Sequence, residues 1–537
     1  MNVTFIYLLL VVAASGLVYV SKHPLFIFAS SWILLSVLIV FSAYLFEKPN
    51  FFRKRATGQI PVIIKLVLLP YLLCAQLYNA WQRYKDSVPA LQQVEDQMFI
   101  ACRLFPSDIP MLKANKIDAI LDVTAEFDGL NWSAEQEGLY YLNLPVLDHQ
   151  SPTRAQIVHA LRWIEAMHTL NKKVVIHCAL GRGRSVFLLC AYLLYKHKLS
   201  TQGALDRVKE LRQTARLNRS QKKRLNAIAH VDLLAKTETL PMVINPVSGS
   251  GKWYQYDNQV IGYLTQRFLL EFHFTEKDTN VSALALRLKR NHNKVIACGG
   301  DGTVTAVAHA LVNSDCHLGF IPLGTANALA HVLLGVQTKL EPITLACEAI
   351  VKGKTQQIDT IQCNEHTALL LVAFGFEEQM ISFANREEKN QGGQFAYISG
   401  FINAVSESKS QNVCIAVDEQ NPKELNVNSL VVANAAPFST VLAQGGGEPN
   451  YQDGQLDITL IEHDENNSAA FSLAQLVFNG LEGKKKHSEN NVNHALCKRV
   501  CLHQHGDTVR YSIDGEIKTC ETLTIEIKEK SLWIMTK

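Results

Sequence analysis

Residues 173–187 read KVVIHCALGRGRSVF, and this stretch gives the clearest indication of how the first half of the chain folds. An apolar, strand-like run ends at His177 and Cys178, and a glycine-containing loop leads into an apolar, helix-like stretch. A thiolate at the end of a strand can attack phosphorus, while the loop turns its backbone N–H groups toward the phosphate. Arg184 stands where its planar fork can bind phosphate oxygens, and Ser185 where its hydroxyl can donate to the sulfur. The stretch therefore predicts chemistry on a phosphate monoester.

Such a reaction also needs a general acid for the leaving oxygen. Asp148 lies upstream in LNLPVLDHQSP, a turn-rich stretch that follows a strand-like run. Over about residues 95–230 the chain resembles the dual-specificity branch of the protein tyrosine phosphatase superfamily. The resemblance implies Cys178 as nucleophile, Arg184 as phosphate binder and Asp148 as acid. Val186 departs from the family, which usually carries glycine there. A domain that binds phosphate without turning it over is the alternative.

The surroundings of this motif alternate between strand-like and helix-like runs. Apolar runs at 119–123 and 173–177 alternate with longer periodic stretches at 154–170 and 186–196. This alternation is typical of α/β domains. We therefore expect an α/β cysteine phosphatase domain over residues 87–235.

The N-terminus is the most hydrophobic part of the chain. Residues 3–20 and 25–46 contain no charged side chain, and each approaches the length of about 20 residues that crosses a bilayer. They predict N-terminal transmembrane helices that form a hairpin. Basic residues follow the second helix: Lys48, Arg53, Lys54 and Arg55. Because positive charge is retained on the cytoplasmic side, this flank and the catalytic domains are expected there.

A third apolar stretch, residues 60–81, contains prolines and polar residues. It is interpreted as an interfacial helix, with a full span as the alternative. Residues 1–86 are therefore assigned to a membrane anchor. We expect a multi-pass protein of the inner or plasma membrane, with the lipid bilayer and membrane lipids as its partners.

Three glycine-rich elements follow in the second half of the chain. They are NPVSGSGK at 245–252, GGDGT at 299–303 and PLGTAN at 322–327. Each follows an apolar run, and glycines there allow the backbone to approach phosphates closely. Neither a Walker loop nor a dinucleotide fingerprint is present, so the set indicates a different nucleotide site.

The order of these elements is similar to the diacylglycerol kinase catalytic family, from about residue 240 to the C-terminus. The later stretches AFGFEEQM, GGQFAYISG, YQDGQLDITL and YSIDGE agree with it. The resemblance implies an α/β nucleotide-binding domain over 240–360 and a β-sandwich domain over 361–537, with the active site in the cleft between them.

The resemblance also implies ATP and Mg²⁺ as cofactors. The residues that would line ATP are Asn245, Ser248, Gly299, Gly300, Gly302, Thr303, Gly324, Thr325 and Asn327. Asp301, Asp514 and Glu516 are the candidate catalytic carboxylates, and the sequence leaves open which one accepts the proton of the lipid hydroxyl. Asp301 and Asp453 are the candidate metal ligands. Many bacterial members carry aspartate at the position of Ala328. The alanine here is closer to the pattern of the sphingoid-base branch.

Composition narrows the possible functions. The net charge of the 537-residue chain is only +3, so we expect no nucleic-acid partner. Twelve cysteines without metal-type spacing indicate free thiols in a reducing compartment. We therefore expect a membrane enzyme that phosphorylates a diacylglycerol-like lipid and hydrolyses a phosphate monoester of a lipid or a protein. The alternatives are a sphingoid or ceramide kinase joined to a protein phosphatase or to a phosphate sensor.

Overall fold

The computed structural model describes residues 3–130, 138–375, 410–435, 450–463, 492–504, 506 and 508–537. The GGQFAYISG stretch and most of AFGFEEQM therefore lie outside the described residues. The chain divides into two compact units, one of Met1–Thr239 with Leu264–Leu270 and one of Leu240–Tyr263 with Glu271–Lys537. The hydrophobic N-terminal region belongs to the first unit, together with the phosphatase-type region.

The first unit begins with helices and continues as alternating strands and helices. Its helices are α1 (Val3–Val20), α2 (Pro24–Leu45), α3 (Val62–Val67), α4 (Leu69–Lys85), α5 (Ile109–Ala114), α6 (Arg154–Thr169), α7 (Arg184–His197), α8 (Thr201–Leu211) and α9 (Arg219–Ile228). Its strands are β1 (Leu91–Glu95), β2 (Met98–Ala101), β3 (Ala119–Thr124), β4 (Tyr140–Val146) and β5 (Val174–His177).

The strands of the first unit form a sheet in the order β1-β2-β5-β3-β4. Strand β1 pairs antiparallel with β2, and the remaining neighbours are parallel. All four residues of β5 are buried at the centre of the sheet. Because parallel strands end at the same edge, the residues that follow β3, β4 and β5 come together there.

Helices α1 and α2 are candidates for membrane spans. They have 18 and 22 residues, and their most apolar stretches have a mean hydropathy of 2.4. Only 6% and 17% of these stretches are buried, so described residues leave most of this apolar surface uncovered. The rings of Tyr7 and Tyr44 stack at 4.7 Å between centroids, which pairs the two helices as a hairpin.

The apolar stretch at 60–81 forms two short helices. Helix α3 ends at Val67, and α4 begins at Leu69 with Pro70 in its first turn. Proline lacks the backbone N–H that would continue the hydrogen bonding of α3, so the helix is interrupted there. Trp32 of α2 donates a hydrogen bond of 3.0 Å to the carbonyl oxygen of Leu66, which holds α3 against the hairpin.

An apolar cluster joins the hairpin, the two short helices and the loops of the phosphatase-type sheet. Its buried members are Val40, Ala43, Tyr44, Phe52, Leu68, Leu72, Ala125 and Leu147. Ala125 follows β3 and Leu147 follows β4, so the cluster reaches the sheet edge at which the parallel strands end. The N-terminal region is therefore packed on the phosphatase-type region and does not hang from it on a linker.

Lys54 strengthens this attachment. Its Nζ lies 2.7 Å from Oδ2 of Asp122 and donates to the carbonyl oxygen of Thr124 at 2.8 Å. Both side chains of the ion pair are fully buried. Burial lowers the pKa of Lys54; burial also opposes the charge of Asp122, but Lys54 and His177 hold the pKa of that carboxyl well below its usual value. Lys54, assigned from the sequence to the basic membrane flank, is thus part of the interior.

The second unit begins as an α/β region. Its helices are α10 (Lys252–Leu264), α11 (Val281–Leu288), α12 (Asp301–Leu311), α13 (Ala328–Leu334) and α14 (Pro342–Lys352). Strands β6 (Thr239–Ile244), β7 (Leu269–Phe274), β8 (Lys294–Gly299) and β9 (His317–Pro322) alternate with them. Strand β8 is parallel to both β6 and β9, so the three glycine-rich elements follow neighbouring strand ends.

The strands in the remaining described residues of the second unit are mostly antiparallel. They are β10 (Lys354–Cys363), β11 (His366–Ala368), β12 (Leu371–Gly375), β13 (Gln411–Val417), β14 (Lys423–Ala433), β15 (Leu456–Glu462), β16 (Val492–Cys497), β17 (Arg499–Gln504), β18 (Val509–Ile513), β19 (Glu516–Cys520) and β20 (Thr522–Thr536). The long strand β20 pairs with both β17 and β9, and so joins these strands to the parallel sheet. Their apolar residues enclose one core that includes Phe374, Val432 and Leu502.

Candidate active sites

The phosphate-binding loop of the first unit begins where β5 ends. Cys178 follows the buried strand directly, and α7 starts at Arg184. Gly181 has a left-handed backbone with a φ of +66°, and a Cβ there would lie 2.8 Å from the carbonyl oxygen of Ala101. Glycine alone fits both conditions. The loop therefore curls tightly against β2 and places the positive end of α7 beside it.

The predicted nucleophile and its hydroxyl partner are in contact. The Sγ of Cys178 lies 3.3 Å from the Oγ of Ser185. Both residues are buried, Cys178 with 3% of its surface exposed. At this distance the hydroxyl of Ser185 can donate to the sulfur when the sulfur leaves phosphorus, which is the role expected from the sequence.

Arg184 is buried at the start of α7 and is held by acidic residues. Its Nη2 and Nη1 donate to the two carboxylate oxygens of Glu126 at 2.6 and 2.8 Å, and Nη2 lies 3.3 Å from Asp148. Burial opposes the charge, but Glu126 and Asp148 raise the pKa of Arg184 well above its usual value. The buried Nε has no hydrogen-bond partner among the described residues. A phosphate oxygen would supply one.

Glu126 is the residue of this site that the sequence analysis missed. It lies in the TAEFD stretch just after β3, far from the cysteine motif in sequence. The signal was present, because an acidic residue behind a buried strand is expected at the shared edge of a parallel sheet. It changes the predicted role of Arg184, whose terminal nitrogens hold Glu126 in this structure.

Asp148 lies in the loop after β4 at the mouth of the site. Half of its side chain is exposed, and Oδ1 accepts a hydrogen bond from the backbone N–H of His149 at 3.0 Å. This position leaves the carboxyl accessible to the leaving group of a bound phosphate ester. The structure thus brings together Cys178, Ser185, Arg184 and Asp148.

His177 takes a different place from these four residues. Its Nε2 lies 3.8 Å from Oδ1 of Asp122, and the side chain is buried. Burial lowers the pKa of His177, so the ring is neutral near pH 7. We therefore assign His177 to the support of the loop through Asp122.

Side chains outside the motif hold the carbonyl groups of the loop. Arg212 donates from Nε to the carbonyl oxygen of Gly181 at 2.7 Å and from Nη2 to that of Leu180 at 3.1 Å. Asn79 of α4 donates to the carbonyl oxygen of Ala179 at 2.8 Å. Carbonyl groups fixed in this way leave the loop N–H groups to the phosphate. A residue of the predicted membrane anchor therefore supports the catalytic loop.

The nucleotide site of the second unit is built from three strand ends. Asn245 donates to the Oγ1 of Thr303 at 3.3 Å, and the N–H of Gly300 donates to the Oγ of Ser248 at 3.3 Å. A Cβ on Gly324 would lie 2.7 Å from the Cα of Gly300. The first and third elements therefore both contact GGDGT, with glycines at the points of closest approach.

The other predicted nucleotide residues lie on the same loops. Gly299 packs against Thr303, where a Cβ would lie 2.5 Å from the threonine side chain. Thr325 is exposed, and the buried Oδ1 of Asn327 has no hydrogen-bond partner among the described residues. Lys252 was not predicted; its Nζ donates to the carbonyl oxygen of Gly324 at 2.6 Å. The hydroxyl of the exposed Thr325 can donate to a phosphate, whereas the Oδ1 of Asn327 can only accept a hydrogen bond.

Asp301 lies in the first turn of α12. It accepts backbone hydrogen bonds from Ala328 at 3.2 Å and Leu329 at 3.4 Å. Burial raises the pKa of Asp301 against the effect of these hydrogen bonds. Ala328, the position that departs from the bacterial pattern, thus contacts the candidate catalytic Asp301 through its backbone.

Asp514 is fixed at the turn between β18 and β19. It accepts N–H donors from Leu369 (2.7 Å), Leu370 (2.9 Å) and Leu371 (3.0 Å), and the hydroxyl of Thr305 at 3.2 Å. Burial outweighs these bonds and raises the pKa of Asp514 to about 6. A carboxylate held by four fixed donors is suited to a positioning role. Here Asp514 joins the strand ends to α12.

Glu516 has more freedom than Asp514. Its side chain is 63% exposed, and a Cβ on Gly302 would lie 3.1 Å from its Oε1. Glu516 therefore lies over the start of α12. The two carboxylates border a cavity of about 230 Å³ whose other lining residues are Ser282, Gly302, Thr305, Ala306, His309, His366, Thr367, Ile513 and Lys518.

Asp453 lies apart from these carboxylates. It accepts a hydrogen bond from the N–H of Gln455 at 3.0 Å, and its charge acts on the carboxyl of Asp457. Burial and the charge of Asp453 raise the pKa of Asp457 to about 6. Among the described residues no three His, Cys, Asp or Glu side chains come together as a metal site. The predicted ligands Asp301 and Asp453 are not joined by any contact described here.

Comparison with known families identifies both regions. Residues 103–230 match the dual specificity phosphatase catalytic domain, and residues 239–363 match the diacylglycerol kinase catalytic domain. The match to the kinase family ends in β10, so most of the antiparallel strands lie beyond it.

Three relatives match parts of this chain. An uncharacterized protein of Synechocystis is 33% identical over 57% of this chain and 72% of its own length. A diacylglycerol kinase of Mycobacterium tuberculosis is 27% identical over 41% of this chain and 72% of its own. A phosphatidylglycerophosphate phosphatase of Arabidopsis thaliana is 25% identical over 24% of this chain and 59% of its own.

The motifs, the two sets of site contacts and these matches agree. The chain belongs to the same family as the Synechocystis protein, and it carries a dual specificity phosphatase catalytic domain followed by a diacylglycerol kinase catalytic domain.

Proposed function

We propose that the chain is a bifunctional membrane enzyme. Its second unit transfers the γ-phosphate of ATP to the hydroxyl of a diacylglycerol-like lipid, and its first unit hydrolyses a phosphate monoester carried by a lipid. The observation that carries the proposal is the presence of two complete sets of catalytic groups on one chain. Cys178, Ser185, Arg184 and Asp148 form one set, and the second surrounds the GGDGT element.

The phosphatase reaction follows from the arrangement around the loop. The thiolate of Cys178 attacks phosphorus, and the bond from phosphorus to the alcohol oxygen breaks. Asp148 gives its proton to that oxygen, and Arg184 with the loop N–H groups stabilises the charge on phosphate. Water then attacks the phosphocysteine, Asp148 takes its proton, and Ser185 supports the departing sulfur. Inorganic phosphate is released, and Cys178 returns to the thiolate form.

The kinase reaction needs positioning and charge neutralisation more than covalent chemistry. The glycine loops supply N–H donors to the phosphates of ATP, because glycines let the backbone approach them closely. Asp514 accepts hydrogen bonds from four donors and Asp301 from two. Glu516 is 63% exposed and lies 3.7 Å from the Nζ of Lys518. Asp301 and Glu516 are therefore the proposed acceptors of the lipid hydroxyl proton. The raised pKa of Asp301 favours it as a base.

Mg²⁺ is part of the proposal. Asp301 and Glu516 offer carboxylate oxygens, the ligand type that Mg²⁺ prefers, and neither forms a buried ion pair with lysine or arginine in the described structure. The ion would neutralise phosphate charge when it binds with ATP. We further propose that α1 and α2 cross the bilayer and that both units lie on its cytoplasmic side, where ATP is present.

The name of the Arabidopsis relative supports a lipid substrate for the phosphatase, and that of the Mycobacterium relative supports diacylglycerol for the kinase. The test is an assay of the full chain in mixed micelles. With labelled ATP and Mg²⁺, diacylglycerol, ceramide and sphingosine are offered separately, and we expect label in phosphatidic acid. In a second arm, phosphatidylglycerophosphate and a phosphotyrosine peptide are offered, and we expect faster phosphate release from the lipid.

Each arm can fail by itself. Label in ceramide or sphingosine, with none in diacylglycerol, would replace the proposed acceptor. Label in a soluble alcohol alone would overturn the lipid kinase. Release from the peptide without release from the lipid would make the first unit a protein phosphatase.

A further inference from the structure

A small cavity lies near the phosphatase site, and residues of both the N-terminal region and the phosphatase-type region line it. Its volume is about 100 Å³, and its lining residues are Ile60, Lys65, Leu69, Leu72, Leu73, Gln76, Glu126 and Asp128. Six of these precede residue 87 and come from α3, α4 and the turn before them. The N-terminal region thus builds most of a pocket at the edge of the catalytic site.

One side chain lies between the cavity and the phosphate site. Glu126 lines the cavity and also binds both terminal nitrogens of Arg184. Leu72, another lining residue, packs in the same apolar cluster as Leu147, which precedes the catalytic Asp148. A molecule whose phosphate lies in the loop therefore has its leaving group near this pocket.

The chemistry of the cavity is mixed. Leucines form its walls, whereas Lys65 and Asp128 form a half-exposed ion pair of 2.7 Å at its edge. Gln76 adds an exposed amide. An apolar wall with a few polar groups suits a small group that carries both carbon and ester oxygens. A peptide backbone would bring N–H and C=O groups that leucine side chains cannot satisfy.

The same helices carry an exposed apolar surface that continues from the pocket. Leu73 lines the cavity and is 49% exposed, while Val62, Ile63 and Leu66 on α3 are 56–74% exposed. An acyl chain that leaves the pocket can therefore continue along apolar surface. Such a surface beside a candidate membrane hairpin matches a lipid interface.

We propose that this cavity binds the glycerol end of a phospholipid whose terminal phosphate is held by the loop of Cys178. Helices α3 and α4 are then a specificity element of the phosphatase. The inference rests on the proposed function, because it names where the lipid substrate of that same site is held.

The experiment fills the cavity with Leu73→Trp in the full chain. Three substrates are compared: phosphatidylglycerophosphate in mixed micelles, glycerol 3-phosphate without acyl chains, and p-nitrophenyl phosphate. We expect the ratio of kcat/KM for the lipid to kcat/KM for p-nitrophenyl phosphate to fall at least about tenfold, the lower range for a blocked apolar subsite. The ratio for glycerol 3-phosphate should fall less, because that substrate lacks the acyl chains.

The matched control is Leu77→Trp, which adds the same side chain to the same helix. Leu77 is 71% exposed and does not line the cavity. We expect this control to keep the wild-type ratio. If Leu73→Trp proves inactive on all three substrates, Leu73→Ala decides, since it enlarges the cavity without steric conflict and should lower the same ratio severalfold.

The outcomes separate the two proposals. A wild-type enzyme that hydrolyses the lipid, with unchanged ratios in both Leu73 variants, overturns the subsite and leaves the proposed function intact. An equal loss in Leu73→Trp and Leu77→Trp also overturns the subsite. A wild-type enzyme that releases phosphate from a phosphopeptide and not from the lipid overturns the proposed function and the subsite together.

Discussion

Arg184 in the phosphatase loop faces the carboxylates of Glu126 and Asp148, whereas the buried Asp514 of the kinase faces three backbone N–H groups and one hydroxyl. The cause of the pKa shift also differs between the two groups. Neighbouring charges raise the pKa of Arg184, whereas burial raises that of Asp514. In the phosphatase site, the charge of Arg184 is already paired with carboxylates of the same chain. In the kinase site, Asp514 has no cationic partner among the described residues, whereas Glu516 lies 3.7 Å from the Nζ of Lys518.

The largest expected effect tests whether the two sites are independent. Cys178→Ser should lower phosphatase turnover by at least about 10⁴-fold, because a serine hydroxyl is not ionised near neutral pH. Kinase turnover by the same preparation should stay at the wild-type level, since the loop lies wholly in the first unit. Assays of both activities on one sample measure this, and a parallel loss of kinase activity would show that the sites are coupled.

A smaller effect is expected at the mouth of the phosphatase site. Asp148→Asn should slow hydrolysis of alkyl phosphates by about 10²–10⁴-fold, because alcohols are poor leaving groups and need the proton. Hydrolysis of p-nitrophenyl phosphate should fall much less. The ratio of the two rates is the measurement, and equal losses would remove Asp148 as the acid.

The paired charges themselves can be broken. Glu126→Gln leaves Arg184 buried without its bidentate partner, and should lower the free energy of unfolding of the first unit by about 3–5 kcal/mol. Asp206→Asn is the matched control, since Asp206 forms a half-exposed pair with Lys209 in the same unit. It should cost less than about 1 kcal/mol. Chemical denaturation measures both, and similar losses would contradict the buried pair.

The free energy of unfolding should depend on pH through the buried carboxylate of Asp514. The pKa of Asp514 is about 6 in the folded chain against an ordinary value of 3.8, so the folded state binds this proton more tightly than the unfolded state. Its contribution to stability is present below pH 3.8 and is lost as pH rises through about 6. Asparagine does not titrate. The destabilisation by Asp514→Asn should therefore shrink by about 2 kcal/mol between pH 4 and pH 7.

Thermal unfolding of the wild type and of Asp514→Asn, side by side at several pH values, measures this difference. Comparison with the wild type at each pH removes the titration of all other groups. A difference in stability that does not change with pH would show that Asp514 carries no raised pKa.

The sequence predicted the residues whose roles depend on short spacing. Cys178, Ser185 and Arg184 follow from one loop, and the three glycine-rich elements follow from strand ends that a parallel sheet brings together. Asp148 could be proposed because the chemistry demands an acid in a nearby turn. In each case local sequence and one general rule were sufficient.

Contacts between distant segments were not predicted. Glu126 meets Arg184 across 58 positions, and Asn79 meets the loop across 100. No periodicity marks either pair. The contact of Glu126 arises where β3 and β5 end at one edge of the sheet, and that of Asn79 arises where α4 packs beside the loop. The role of Asp514 is similar: the DGE stretch indicated a carboxylate, but its four donors come from a strand and a helix far away in sequence.

The buried pair of Lys54 and Asp122 has a kinetic consequence. Since this pair and the apolar cluster leave no loose tether between α2 and the phosphatase, the catalytic loop stays at a fixed height above the plane in which the hairpin would lie. With the hairpin in a bilayer and a phospholipid as substrate, as proposed, encounter would be a two-dimensional search. Turnover should follow the mole fraction of the phospholipid within the bilayer, so dilution with an inert lipid slows the enzyme even when the total amount of substrate in the tube is unchanged.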